Sequence, residues 1–111
     1  MHDFFFTLPK DFGQGAFAVE NAGTQVHELG IVRVHDGASL ADIVAYEGSK
    51  APHTTPQPYD DAAGTTSLDP GTRVRLDLHL PRGRYAVLCF LPTPNRQPHL
   101  TIGMAQMFTV A

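Results

Sequence analysis

Four residues of this chain carry side chains suited to a soft metal ion: His27, Cys89, His99 and Met104. Nine residues separate Cys89 from His99 and four separate His99 from Met104, while His27 lies far upstream. Thiolate and thioether favour Cu(I), and imidazole accepts either oxidation state. A rigid cage of all four spares the ion a change of shape at each electron, and this is the donor set of mononuclear copper electron-transfer sites. Two neighbouring strands and the loop between them can present three ligands, and another strand the fourth.

Singly, each residue also fits a plainer place. Cys89, the one cysteine, reads as a buried hydrophobe. Alternation puts it on the face of Tyr85 and Val87, which suits a core residue and a ligand equally. Met104 after Gly103 suits the core, and His27 suits a half-buried strand. The combination is what points to copper. His2, His35, His53 and His79 lack partners at ligand spacing, and Asp60-Asp61 reads as a solvated loop pair.

Enzyme chemistry has little to stand on. A cysteine hydrolase needs a base set against a reactive thiolate, and Cys89 in a strand interior is poorly placed for attack. A copper oxidase needs a second metal centre and further histidines. The expectation is therefore a protein that is not an enzyme.

The elements that must position these residues are mostly strands. Nine prolines and ten glycines between short apolar runs favour an all-β chain with many turns. Arg73 to Leu80 alternates strictly, with Val74, Leu76, Leu78 and Leu80 on one face. A strand over Arg84 to Phe90 follows so closely that an antiparallel hairpin is predicted. Further strands are expected at Phe4-Phe5-Phe6, Ala16 to Glu20, Glu28 to Val34 and Met107 to Val110. Ser39 and Asp42 form a capping box ahead of Leu40, Ile43 and Val44, which predicts one short helix ending at Gly48. The polar stretch from Gly48 to Gly64 reads as a long surface loop. The sum is a two-sheet β-sandwich.

A length of 111 residues gives a single domain over residues 1–111. A net charge of -3 with eight scattered basic residues offers no footprint for nucleic acid. No stretch approaches the ~20 apolar residues of a membrane-spanning helix. No export signal precedes Phe4, so the chain is either cytoplasmic as written or has lost a signal.

At the site the sequence resembles a known family. Gly83-Arg84-Tyr85-Ala86-Val87-Leu88-Cys89, then His99-Leu100-Thr101-Ile102-Gly103-Met104, then Phe108-Thr109-Val110, is similar to the C-terminal copper loop of cupredoxins such as plastocyanin. Asn21-Ala22-Gly23 ahead of His27 is similar to the family's segment before its first copper histidine. The resemblance implies a Greek-key sandwich and one Cu(I)/Cu(II) ion held by His27, Cys89, His99 and Met104. It departs in the long Cys89–His99 segment, which is closer to copper nitrite reductases and to a group of secreted cupredoxin-like proteins. It also departs at Glu28, where plastocyanin has an asparagine tying two ligand loops together, a task Glu28 can perform by accepting a backbone hydrogen bond.

The expected function is electron transfer, in the periplasm or outside the cell once an export signal is removed. His99 would be the ligand nearest the surface, ringed by Leu91, Pro92, Pro94, Pro98 and Leu100 as an apolar rim for a transient redox protein partner. Two alternatives remain open on the sequence: a copper carrier or storage protein, and a metal-free interaction module.

Overall fold

The computed structural model describes residues 1, 3, 6–49, 54–91 and 98–111, apart from the side chains at 101 and 102. Its strands are β1 (Gln14–Glu20), β2 (Gly30–Val34), β3 (Tyr59–Gly64), β4 (Arg73–His79), β5 (Gly83–Leu88) and β6 (Ala105–Val110), with one helix, α1 (Leu40–Gly48), between β2 and β3. They form two antiparallel sheets. One has two strands, β1 and β4; the other runs β3-β2-β5-β6. This is the two-sheet sandwich with one short helix that the sequence predicts.

The alternation in β4 does what it promises, burying Leu78 and half-burying Val74 and Leu76 while the charged positions face outward. The hairpin from β4 to β5 does not form, because the two strands belong to different sheets. Their sequences explain the parting. β4 is apolar on one face only. β5 is apolar on both, with Tyr85 and Val87 on one side and Ala86 and Leu88 on the other, all buried. Burial on both faces requires a core on each side of the strand, and β5 finds it in the larger sheet, between β2 and β6, so the chain crosses layers at Pro81-Arg82.

Two cores result. Between the sheets lie Val19, Ile31, Leu78, Tyr85, Val87 and Val110, with Phe6, Phe12 and Leu68 from the loops. On the outer face of the larger sheet, α1 lays Ile43 against Val32, Val34, Ala86 and Leu88. The capping box of α1 is complete: the Asp42 amide donates to Ser39 Oγ at 3.2 Å, and the Ser39 amide donates to Asp42 Oδ2 at 2.8 Å.

The loop expected over residues 48–64 ends as β3, an edge strand on β2 in which only Tyr59 is buried. Backbone hydrogen bonds, not side-chain burial, hold it, so no alternating pattern marks it. Asp60 and Asp61 therefore stand on a sheet edge rather than in a loop. Asp60 Oδ2 lies 3.1 Å from His35 Nε2 at the surface, and charge on an exposed edge discourages pairing with another chain. Phe4 and Phe5, expected in a first strand, and His2 and His53 lie outside the described residues. Phe6 is buried in the core but belongs to no strand.

Candidate metal centre

Cys89 follows β5 directly, and the alternation of that strand turns its side chain into the core between the sheets beside Tyr85 and Val87. The chain returns at a short 3-10 turn, His99–Ile102, before β6. Four backbone bonds close this return. The His99 amide donates to the Leu91 carbonyl at 2.9 Å, Leu100 to Cys89 at 2.9 Å, Cys89 to Met104 at 3.1 Å and Met104 to His99 at 3.1 Å. Cys89, His99 and Met104 are thereby held on one small ring of backbone.

His27 reaches the same place from the other side. Its amide and carbonyl both pair with Leu68, at 3.1 and 2.8 Å. The turn before it is organised by the buried Asn21, whose Nδ2 donates to the carbonyls of Gln25 and Leu68, each at 2.8 Å, while its Oδ1 accepts from the Gly23 amide at 2.9 Å. The Asn-Ala-Gly segment noted in the sequence is therefore a rigid support for the histidine.

Three donor atoms converge. His27 Nδ1 and His99 Nδ1 are 3.1 Å apart, and Cys89 Sγ is 3.3 Å from His99 Nδ1. All three side chains are buried, and their donor atoms lie within 4.8 Å of one another. Met104 is fully buried in the cluster that contains Cys89. His99 is the most outward of the four, but only just, at 1 % exposure against 0 % for the others. The expected rim changes accordingly. Leu100 is core, packed in the cluster beneath α1, whereas Leu91 and Pro98 are half-buried. Pro92 and Pro94 lie outside the described residues.

The outer nitrogens of both rings are engaged. His27 Nε2 lies 2.8 Å from Asp3 Oδ1, and His99 Nε2 lies 2.9 Å from Gln25 Oε1. A carboxylate and an amide oxygen only accept, so each ring carries its hydrogen on Nε2. A neutral ring then presents its Nδ1 lone pair inward. Two such lone pairs 3.1 Å apart, beside a sulfur and away from water, repel one another unless a cation lies between them. Two metal–nitrogen bonds of about 2.0 Å from one ion span such a separation. The residues present fit a soft or borderline metal ion.

Electrostatics agree with that fit. Burial, and then the nearby His27, pushes the His99 imidazole below its usual value against the opposing pull of Asp3, a shift that favours the neutral, lone-pair-donating ring. Burial pushes the Cys89 thiol up, and the Glu28 charge adds to this, while the backbone amides of Glu28 and Leu91 favour the thiolate. The Glu28 amide stands 3.5 Å from the sulfur, and Glu28 Oε1 accepts from the Phe90 amide at 3.3 Å. Glu28 thus links the His27 and Cys89 segments, as its position in the sequence suggested. Asp3 and Gln25 were not legible. Asp3 stands 24 positions before the histidine it meets and Gln25 stands 74 before its own, with no motif joining either pair.

Comparison with solved structures finds the sodium-dithionite-reduced auracyanin of the photosynthetic bacterium Roseiflexus castenholzii. It superposes with a TM-score of 0.57 at 29 % identity, over 96 % of this chain and 83 % of that one. No family model and no curated protein matches the sequence.

Proposed function

We propose that this chain, which is a cupredoxin, holds one copper ion through His27, Cys89, His99 and Met104 and serves as a single-electron carrier without substrate chemistry of its own. The observation that carries the reading is the convergence of two inward-facing Nδ1 atoms and one sulfur in a buried pocket. Copper bound there supplies a one-electron couple between Cu(I) and Cu(II). The chain contributes the cage. His27 and His99 supply nitrogen, the Glu28 and Leu91 amides stabilise the Cys89 thiolate, and the surrounding core excludes water. Support for Met104 as the fourth, weaker ligand comes from its burial beside Cys89 and its backbone bonds to both Cys89 and His99.

Burial also favours an electron carrier over a protein that delivers copper. Every proposed donor is at most 1 % exposed, and four backbone bonds tie the loop shut. Exchange of the ion would require breaking them, whereas an electron needs no opening. The auracyanin structure was obtained in a reduced form, which is in keeping with a redox role here. A transient protein partner would approach on the His99 side, where Leu91 and Pro98 reach the surface.

Titration of the metal-free protein with Cu(II), followed by visible absorption, tests the proposal. The expected result is one-to-one binding with an intense thiolate-to-copper band. A colourless complex with loosely held Cu(II) would overturn it.

A further inference from the structure

Met1 and Asp3 lie across the turn that carries His27. The Ala22 amide donates to the Met1 carbonyl at 2.6 Å. The Asp3 carboxylate accepts from the Thr24 amide at 2.9 and 3.0 Å, from the Thr24 hydroxyl, and from the Gln25 amide at 3.2 Å. It also meets His27 Nε2 at 2.8 Å. The side chain of Asp3 is 25 % exposed and that of His27 is fully buried, so a carboxylate at the rim reaches down to a ring in the core.

Gly23 supplies a second, independent observation. A Cβ there would stand 2.3 Å from Asp3 Oδ1, 2.8 Å from His27 Nε2 and 2.9 Å from the Asp3 backbone nitrogen. The turn leaves out a side chain at the very point where the carboxylate meets the imidazole. Any larger residue would push the two apart.

We propose that Asp3 is a positioning residue for the metal centre: it fixes His27 in the Nε2–H form with Nδ1 turned inward, and its charge biases the bound ion toward the oxidised state. The tautomer part stands on the geometry alone, and the bias rests on the copper reading above. A carboxylate hydrogen-bonded to a ligand histidine orients the ring and raises its basicity. Negative charge at that distance stabilises Cu(II) more than Cu(I), so it lowers the reduction potential. Bonds from the Thr24 hydroxyl and amide, then from His27 and the Gln25 amide, hold the Asp3 carboxyl well below the usual carboxylate range despite partial desolvation.

Three variants separate the parts. Asp3→Ala removes the acceptor, Asp3→Asn keeps an acceptor without the charge, and Gly23→Ala displaces an intact carboxylate. The histidine tautomers of the metal-free proteins are read by long-range proton–nitrogen NMR, and the potentials of the copper-loaded proteins by voltammetry. In Asp3→Ala and Gly23→Ala, His27 should populate both tautomers, with Cu(II) affinity about 10-fold weaker. In Asp3→Asn the tautomer should persist while the potential rises by ~59 mV for each tenfold loss of Cu(II) over Cu(I) affinity. An unchanged tautomer in both Asp3→Ala and Gly23→Ala would overturn the positioning role, and an unchanged potential in Asp3→Asn would overturn the electrostatic one. If Asp3→Ala fails to fold, Gly23→Ala decides the first point. A colourless wild-type protein would overturn the copper reading together with the bias, and the metal-free tautomers would still decide the positioning role.

Discussion

Met104 and Cys89 are equally buried, yet the proposed site asks different things of them. Met104→Leu should keep copper and raise the reduction potential, because a thioether is a weak ligand that tunes more than it holds; voltammetry without a shift would mean Met104 only fills the core. Cys89→Ser should abolish the visible band and leave the fold intact, since the serine hydroxyl can still accept from the amides that face the sulfur. His99 gives a third test, made without metal. Its imidazole sits below its usual value because of burial and the nearby His27. An unfolded histidine titrates near 6.5, so on acidification the unfolded chain takes up the proton first and stability falls. Urea midpoints of the metal-free protein should therefore be highest at about pH 8 and fall by about pH 5.5, and His99→Asn should flatten that part of the decline. The four proposed ligands could be singled out because imidazole, thiolate and thioether are distinctive metal donors and three of the four residues share one loop. Asp3 and Gln25 could not, because carboxylates and amides are common and their contacts are made only when distant turns meet.

At the scale of elements, what the sequence reveals depends on what holds each element in place. α1 was legible to the residue because its start signal is local: Ser39 and Asp42 satisfy each other's amides. β4 was legible because one of its faces is buried. β3 was not, since an edge strand of exposed residues is held by backbone alone, and the pairing of β5 was misread because chain proximity is a weaker constraint than burial on two faces. Ile43→Ala in α1 should cost about 2–5 kcal/mol, as for other aliphatic truncations in a packed core, measured as a lower urea midpoint. The ring from Cys89 to Met104 makes a kinetic prediction. The amides of Cys89, His99, Leu100 and Met104 should resist hydrogen exchange nearly as well without copper as with it. Protection that appears only with metal would favour a carrier that opens.

For the molecule as a whole, the pairings join distant segments: β1 with β4, and β2 with β5. Such long-range closure is slow, and refolding of the metal-free chain should take on the order of milliseconds to seconds, checked by stopped-flow fluorescence of its tyrosines. The double burial of β5 has a consequence for anyone who would redesign the protein. Ala86 and Val87 have no exposed surface, so a bulkier side chain on either face of the strand must displace something, and the sulfur one step beyond its end would move with it. A library randomised over 85–88 should therefore return few folded clones. One randomised at 24 and 26, where side chains are exposed or half-exposed, should return many, with a spread of colours and potentials. Diversity in this scaffold belongs to the turns that lean on the histidines, and the strand that carries the sulfur is best left as inheritance.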